Sequence, residues 1–159
     1  MLIGISGKAQ AGKDTIGLYF TQGYNFTRVA FADKLKERAK ELGWDGLKDD
    51  WGRRFLEEFG ACVRRNDSFF WVNLAFSYLN MTSDYVFTDV RYINEADYIR
   101  AKGGLVIRVD RPNIPRRDTE AETQLDGYKD FAYRFKNDET IEELYEKVDL
   151  WYKSITLLR

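Results

Sequence analysis

Short apolar runs alternate along this chain with longer stretches whose apolar positions recur at helical spacing. Met1-Leu2-Ile3-Gly4-Ile5 opens it, and Phe26-Thr27-Arg28-Val29-Ala30-Phe31, Tyr85-Val86-Phe87-Thr88 and Leu105-Val106-Ile107-Arg108-Val109 have the same character. Runs of this length, rich in β-branched and aromatic residues, predict buried strands, and residues 131–135 predict a last, weaker one. Between them the period becomes helical. Helices are expected over 15–20, closing near Gly23, and over 34–42, with Leu35, Ala39 and Leu42 on one face. Others are expected over 51–60, with Phe55, Leu56 and Phe59 in phase, over 68–79, and over 95–102, stopped by Gly103-Gly104. Thr140-x-x-Glu143 is a capping box that opens a C-terminal helix. Residues 111–127 follow neither period; with both prolines and many charges they read as a loop or mobile lid.

Strands alternating with helices predict an α/β fold. We expect a three-layer sandwich, its mainly parallel sheet carrying helices on both faces through right-handed crossovers. The length of 159 residues suits one domain over 1–159. Ligands of such sheets lie beyond the carboxyl ends of the strands. The residues just past each strand are therefore the ones to read for chemistry.

Past the first strand comes Gly7-Lys8-Ala9-Gln10-Ala11-Gly12-Lys13-Asp14-Thr15, which runs on into a helix. Strand, G-x-x-x-x-G-K and helix make the setting of a phosphate-binding P-loop. The glycines let the backbone curl so that successive amides point inward. The helix start near Lys13 adds the positive end of its dipole, and the Lys13 ammonium can bridge outer phosphates. A strand–turn–helix without a ligand is the plain alternative. Asp14 stands where such loops usually carry the Ser or Thr that holds Mg²⁺, and Thr15 follows. A carboxylate is a good hard ligand for Mg²⁺ and suits a helix N-terminus, yet without the metal it would repel a triphosphate. A strongly metal-dependent nucleotide site is expected, with Asp14 or Thr15 on the ion and Thr15 reaching the inner phosphates.

Composition narrows the classes further. Lys+Arg 25 against Asp+Glu 26 leaves a net charge of −1, so no global field advertises nucleic acid or a membrane surface. The chain has no histidine, which removes Ser-His-Asp and Cys-His catalysis and His-based metal sites together. The lone Cys62 permits no internal disulfide, fits a reducing compartment, and reads as a small buried apolar residue. No signal peptide or membrane span is evident, and the cytoplasm is the expected address.

Three more positions past strands carry charge. Tyr85-Val86-Phe87-Thr88-Asp89 has the Walker-B form, an apolar strand ending in a carboxylate for the Mg²⁺ shell. Arg91 would offer its planar fork to a second anion such as an acceptor phosphate, or else pair with Glu95 one helical turn on. Asp33 is either the N-cap of the helix that follows or a carboxylate facing the acceptor. Arg53-Arg54 read as a solvated helix face. Arg65, ahead of Phe69-Phe70-Trp71, offers an anion-plus-ring setting for a nucleotide, although most of those rings must be core. Arg111, Arg116 and Arg117 suit a lid over transferring phosphates, or a charged surface loop.

With these residues placed, the chain resembles the phage-type deoxynucleoside monophosphate kinases of the P-loop kinase superfamily over nearly its whole length. The resemblance rests on Gly12-Lys13-Asp14-Thr15, on Phe31-Ala32-Asp33-Lys34-Leu35-Lys36 (with Lys34 for the usual proline), and on Phe59-Gly60 to Arg65 with Trp71 following. It continues through Thr88-Asp89-Val90-Arg91, Asn94-Glu95-Ala96, and Asn137-Asp138 before Glu142-Glu143-Leu144. It implies ATP- and Mg²⁺-dependent phosphoryl transfer to a deoxynucleoside 5′-monophosphate. Lys13, Asp33 and Arg117 would then be catalytic. Residues 7–15, Arg111 and Asn137 would hold the donor, with Asn137 near its base. Asp33, Lys36, Arg65, Trp71, Asp89, Arg91 and Glu122 would hold the acceptor, and Asp14, Thr15 and Asp89 would serve the metal. Where the family tends to read H-x-S-E in its lid, this chain reads Thr119-Glu120-Ala121-Glu122, keeping only the glutamate. The expected partner is the small nucleotide, with neither nucleic acid nor membrane, and the reading leaves room for a homodimer. Dephospho-coenzyme A kinases share the P-loop and the Ala-Asp pair and are the rival within the enzymes. A nucleotide-regulated ATPase or switch is the rival of another class, although the N/T-K-x-D base-reading motif of GTPase switches is missing.

Overall fold

A computed structural model describes residues 1–115 and 119–157; the expectations for Arg116 and Arg117 lie outside the described residues. The chain runs β1 (Leu2–Gly7), α1 (Lys13–Gly23), β2 (Thr27–Val29), α2 (Phe31–Glu41), α3 (Asp50–Asn66), α4 (Phe70–Phe76) and β3 (Tyr85–Val90). It continues with α5 (Ile93–Ala101), β4 (Leu105–Asp110), α6 (Glu120–Thr123), β5 (Tyr133–Lys136) and α7 (Ile141–Thr156). Among the described residues the strands form one parallel sheet in the order β2-β3-β1-β4-β5.

Period-two alternation sends successive strand residues to opposite faces, and here both faces are covered. Ile3, Ile5, Val86, Ile107 and Val109 pack with Ile16 and Phe20 of α1 and Leu144, Val148 and Trp151 of α7. Leu2, Tyr85, Phe87, Val90 and Val106 pack instead with Phe31, Val72, Ala75, Ala96 and Ile99 from α2, α4 and α5. This is the expected three-layer sandwich. β1 is central, flanked by β3 and β4, and its Ser6 and Gly7 lie level with Val90 and Val109. That register brings the P-loop, Asp89, Arg91 and Asp110 to one edge of the sheet.

Several local expectations are corrected. The helix predicted to stop at Gly60 continues to Asn66, because α3 carries Gly60 through its buried flank. The helix predicted from Lys34 starts at Phe31, so Asp33 lies in its first turn and Ala30 holds the cap position. Cys62 is exposed rather than buried, since that face of α3 points away from α2 and α4. Residues 111–127 contain the short α6, and Leu125, at 3% exposure, is packed into the core. The α7 capping box forms as read: Thr140 accepts from the Glu143 amide, and Glu143 accepts from the Thr140 amide.

Candidate active site

The P-loop needs glycine at both ends. At Gly7, with φ +153°, a Cβ would lie 2.5 Å from the Val109 carbonyl oxygen. At Gly12, with φ +107°, it would lie 2.5 Å from Asn137 Nδ2. Lys13 is buried and donates to the carbonyls of Gly7 and Lys8 at 2.8 and 2.7 Å. Burial, reinforced by the Arg91 charge, lowers its pKa to about 8. The hydrogen bonds of this buried ammonium among the described residues go to carbonyls, and a polyanion beside it would favour its charged form. Asn137 does not reach outward; its Nδ2 donates to the Ala11 carbonyl at 2.8 Å and buttresses the loop. Asp14 is exposed at the start of α1, Thr15 is half-buried, and Arg111 is exposed just past β4.

A cavity of about 430 Å³ opens beside the loop at Ala9. Its lining brings together Lys36, Trp71, Asp89, Arg91 and Glu122 of the predicted substrate residues. Trp71 is nearly fully buried and donates from Nε1 to the Gly60 carbonyl at 3.3 Å. Asp89 caps α2: its two oxygens accept from the amides of Phe31 and Ala32 at 2.8 and 2.9 Å. The cap that is one of the two readings of Asp33 is therefore supplied from β3. Asp33 itself accepts from Arg28 at 2.7 Å and from Lys36 at 3.4 Å. Burial would raise its pKa, but these two cations outweigh it and hold the carboxyl below its ordinary value.

Arg91 meets Glu95 only through its backbone, whose amide donates to Glu95 Oε2 at 2.8 Å. Its guanidinium instead pairs with Glu122. The second Glu122 oxygen accepts from the Ala9 amide at 2.9 Å. Burial would raise the Glu122 carboxyl, but the Ala9 amide, Arg91 and Lys13 together hold it low.

Arg65 is exposed and borders grooves adjoining this cavity without lining the cavity itself. Its neighbour Arg64 lines the cavity in its place, along with Arg53, Leu56 and Ala61. The spacing is helical, so the signal was present in the sequence. Ending the helix at Gly60 removes Arg64 from that pattern; Arg53 is exposed, as expected of a solvated face, and also borders the cavity. Arg64 donates to the Tyr92 hydroxyl at 2.8 Å and lies 4.1 Å from the centre of that ring.

Glu95 was also missed. It lines the cavity, is 4% exposed, and accepts from the amides of Arg91 and Tyr92 at the start of α5. Burial, with the Asp89 charge adding to it, raises its pKa to about 8. A carboxyl whose folded pKa is raised binds its proton more tightly in the native state. Its contribution to stability is complete below the ordinary 4.5 and is lost as pH rises through about 8. The melting temperature is expected to fall across that window, and Glu95→Gln to flatten the fall; an unchanged slope in the variant would contradict this assignment.

A P-loop on the central strand of a parallel sheet, with a cation-bearing cavity adjoining it, is the arrangement of the P-loop kinase fold. Shikimate kinase from Aquifex aeolicus has the same fold, with a TM-score of 0.62 over 99% of both chains at 15% identity. The family profile of deoxynucleotide monophosphate kinase matches residues 44–148, and the chain belongs to that family. A protein named as a candidate deoxynucleotide monophosphate kinase in Acanthamoeba polyphaga mimivirus is 29% identical over 93% of this chain and 94% of its own length. The deoxynucleotide monophosphate kinase of Escherichia phage RB69 is 31% identical over 80% of this chain. The match spans about half of that phage protein (53%). Among the described residues no helix is long and apolar enough to cross a membrane.

Proposed function

We propose that this chain transfers the γ-phosphoryl group of ATP to a deoxynucleoside 5′-monophosphate, with Mg²⁺, giving ADP and the diphosphate. The observation that carries the reading is the adjacency of the two sites: the cavity bearing Arg91, Lys36 and Arg64 borders the P-loop at Ala9. A cavity of about 430 Å³ suits a nucleoside monophosphate. Its apolar wall of Phe31, Leu35 and Trp71 would take the base, and the Arg91 end the phosphate. Family membership favours this acceptor over dephospho-coenzyme A.

The acceptor oxygen is already anionic, so the chain's task is positioning and charge neutralisation rather than proton removal. P-loop amides and Lys13 hold the donor phosphates, and Arg91 aims the acceptor. Asp33 acts through Lys36, which it holds at the cavity edge. The described residues contain no group of three or more acidic or sulfur ligands that could hold a metal by themselves. Asp14 and Thr15 beside a bound triphosphate do fit Mg²⁺, which typically takes one or two carboxylates plus substrate phosphates. Asp89, with both oxygens on amides, is better placed to accept from metal-bound water. When bound, the ion would offset charge on the phosphates. A reducing compartment such as the cytoplasm suits the single cysteine.

The test is an acceptor panel: ATP, Mg²⁺ and each nucleoside monophosphate separately, scoring ADP against the matching diphosphate. Stoichiometric pairing with deoxynucleotides is expected. ADP formed equally well without an acceptor would favour an ATPase or switch. Asp14→Ala should remove a charged ligand contribution of about 1.5–3 kcal/mol and so raise the half-saturating Mg²⁺ concentration roughly ten- to hundredfold. An unchanged Mg²⁺ titration would take Asp14 off the metal.

A further inference from the structure

The Glu122 carboxylate is 6% exposed, so it is inserted into the site rather than lying over it. One oxygen accepts from the Ala9 amide of the P-loop, the other pairs with Arg91 on the acceptor side, and Lys13 lies within electrostatic reach. Those are groups from both sides of the transfer. We propose that Glu122 is a resident anion: its carboxylate stands where the transferring phosphoryl group must pass, and an arriving phosphate has to displace it. This rests on the reaction proposed above only for the identity of the arriving anion.

The physical reason is exclusion by like charge. A phosphate dianion brought to Arg91 beside an ionised Glu122 would meet a second anion in a partly desolvated site, and the two cannot share one guanidinium at full strength. Phosphate, with the greater charge, wins the contest for the cations. What gives way is the Glu122 side chain, because its backbone carbonyl is held by Lys8. Asp126 is fixed, accepting from Lys8 at 2.8 Å and from the buried Arg108 at 2.9 Å, and Leu125 is in the core. Ahead of that anchor, α6 has only four residues, with Glu120 exposed and Ala121 and Thr123 half-buried. Turning that carboxylate aside moves a polar side chain and leaves the Leu125 packing in place. Until the acceptor arrives, the carboxylate fills the place that a hydrolytic water would need, which ties ATP use to acceptor binding.

Glu122→Gln keeps the shape and removes the charge. Calorimetry with inorganic phosphate as probe should show about tenfold tighter binding than wild type, equivalent to about 1.4 kcal/mol. Acceptor-free ATP hydrolysis should rise several-fold. Asp126→Asn, which loosens the anchor and leaves the carboxylate in place, should shift both readouts the same way by less, and melting curves confirm that both variants are folded. Phosphate binding to Glu122→Gln that is unchanged, weakened or absent overturns the proposal; weakened binding would make Glu122 a direct substrate contact. If no deoxynucleotide binds either protein while phosphate still binds the variant more tightly, the acceptor reading falls and the resident anion stands.

Discussion

Lys13→Ala loses turnover by about a thousandfold or more while the chain stays folded. The side chain crosses the mouth of its own loop to two carbonyls, at 2.8 and 2.7 Å, and is buried enough to carry a pKa of about 8. A desolvated cation that forms no salt bridge among the described residues adds little to stability. Its value lies in the anion it meets, and most of all in charge moving from the donor to the leaving oxygen, where an ammonium in a dry site acts most strongly. The loss should therefore fall on kcat, with a smaller effect on ATP affinity and a melting temperature close to wild type. Steady-state kinetics beside a melting curve decides it; near wild-type turnover would remove the P-loop assignment.

Arg91→Ala is expected to fall on the other substrate. A hydrogen-bonded charge partner contributes about 2–5 kcal/mol to binding an oppositely charged group when buried, and the half-buried Arg91 belongs at the lower end of that range. The specificity constant for the monophosphate should drop by about two orders of magnitude on that scale, and the KM for ATP should hardly move. Arg91→Lys should recover only part of the loss, because an ammonium cannot give the planar two-point contact of a guanidinium. Separate titrations of each substrate make the comparison. A selective loss of ATP affinity would reverse the donor and acceptor assignments. The variant also leaves Glu122 without its guanidinium, so modest thermal destabilisation is expected alongside.

Both experiments aim at residues that the sequence alone makes legible. Gly7, Gly12 and Lys13 announce themselves because a P-loop is a local object: strand, curl and helix follow one another within a few residues, and the chemistry needs those types at those spacings. The strands were legible for a similar reason. Burial on both faces of a parallel sheet demands unbroken apolar runs, and 85–88 and 105–109 provide them. The pattern of strands and helices was enough to imply three layers, and Arg91 could be named because it lies two residues beyond Asp89 at a strand end.

What stayed hidden was everything that depends on partners far along the chain. Whether Asp33 caps its helix could not be read locally, because the competitor for that role is Asp89, which arrives from β3. Arg91 had a reasonable neighbour in Glu95, yet its side chain reaches Glu122, 31 positions away. Asn137 turned out to buttress the loop at Ala11, 126 positions earlier. Arg64 rather than Arg65 faces the cavity because the phase of α3 is set by its packing against α2 and α4, which no window of sequence contains. The chain by itself thus determined the sheet, the phosphate loop and the class of chemistry, since each follows from short-range periodicity and spacing. Which charged groups meet, and therefore which carboxylates are structural and which stand in the path of transfer, was decided by the tertiary structure, because electrostatics acts through distance in space and not along the chain.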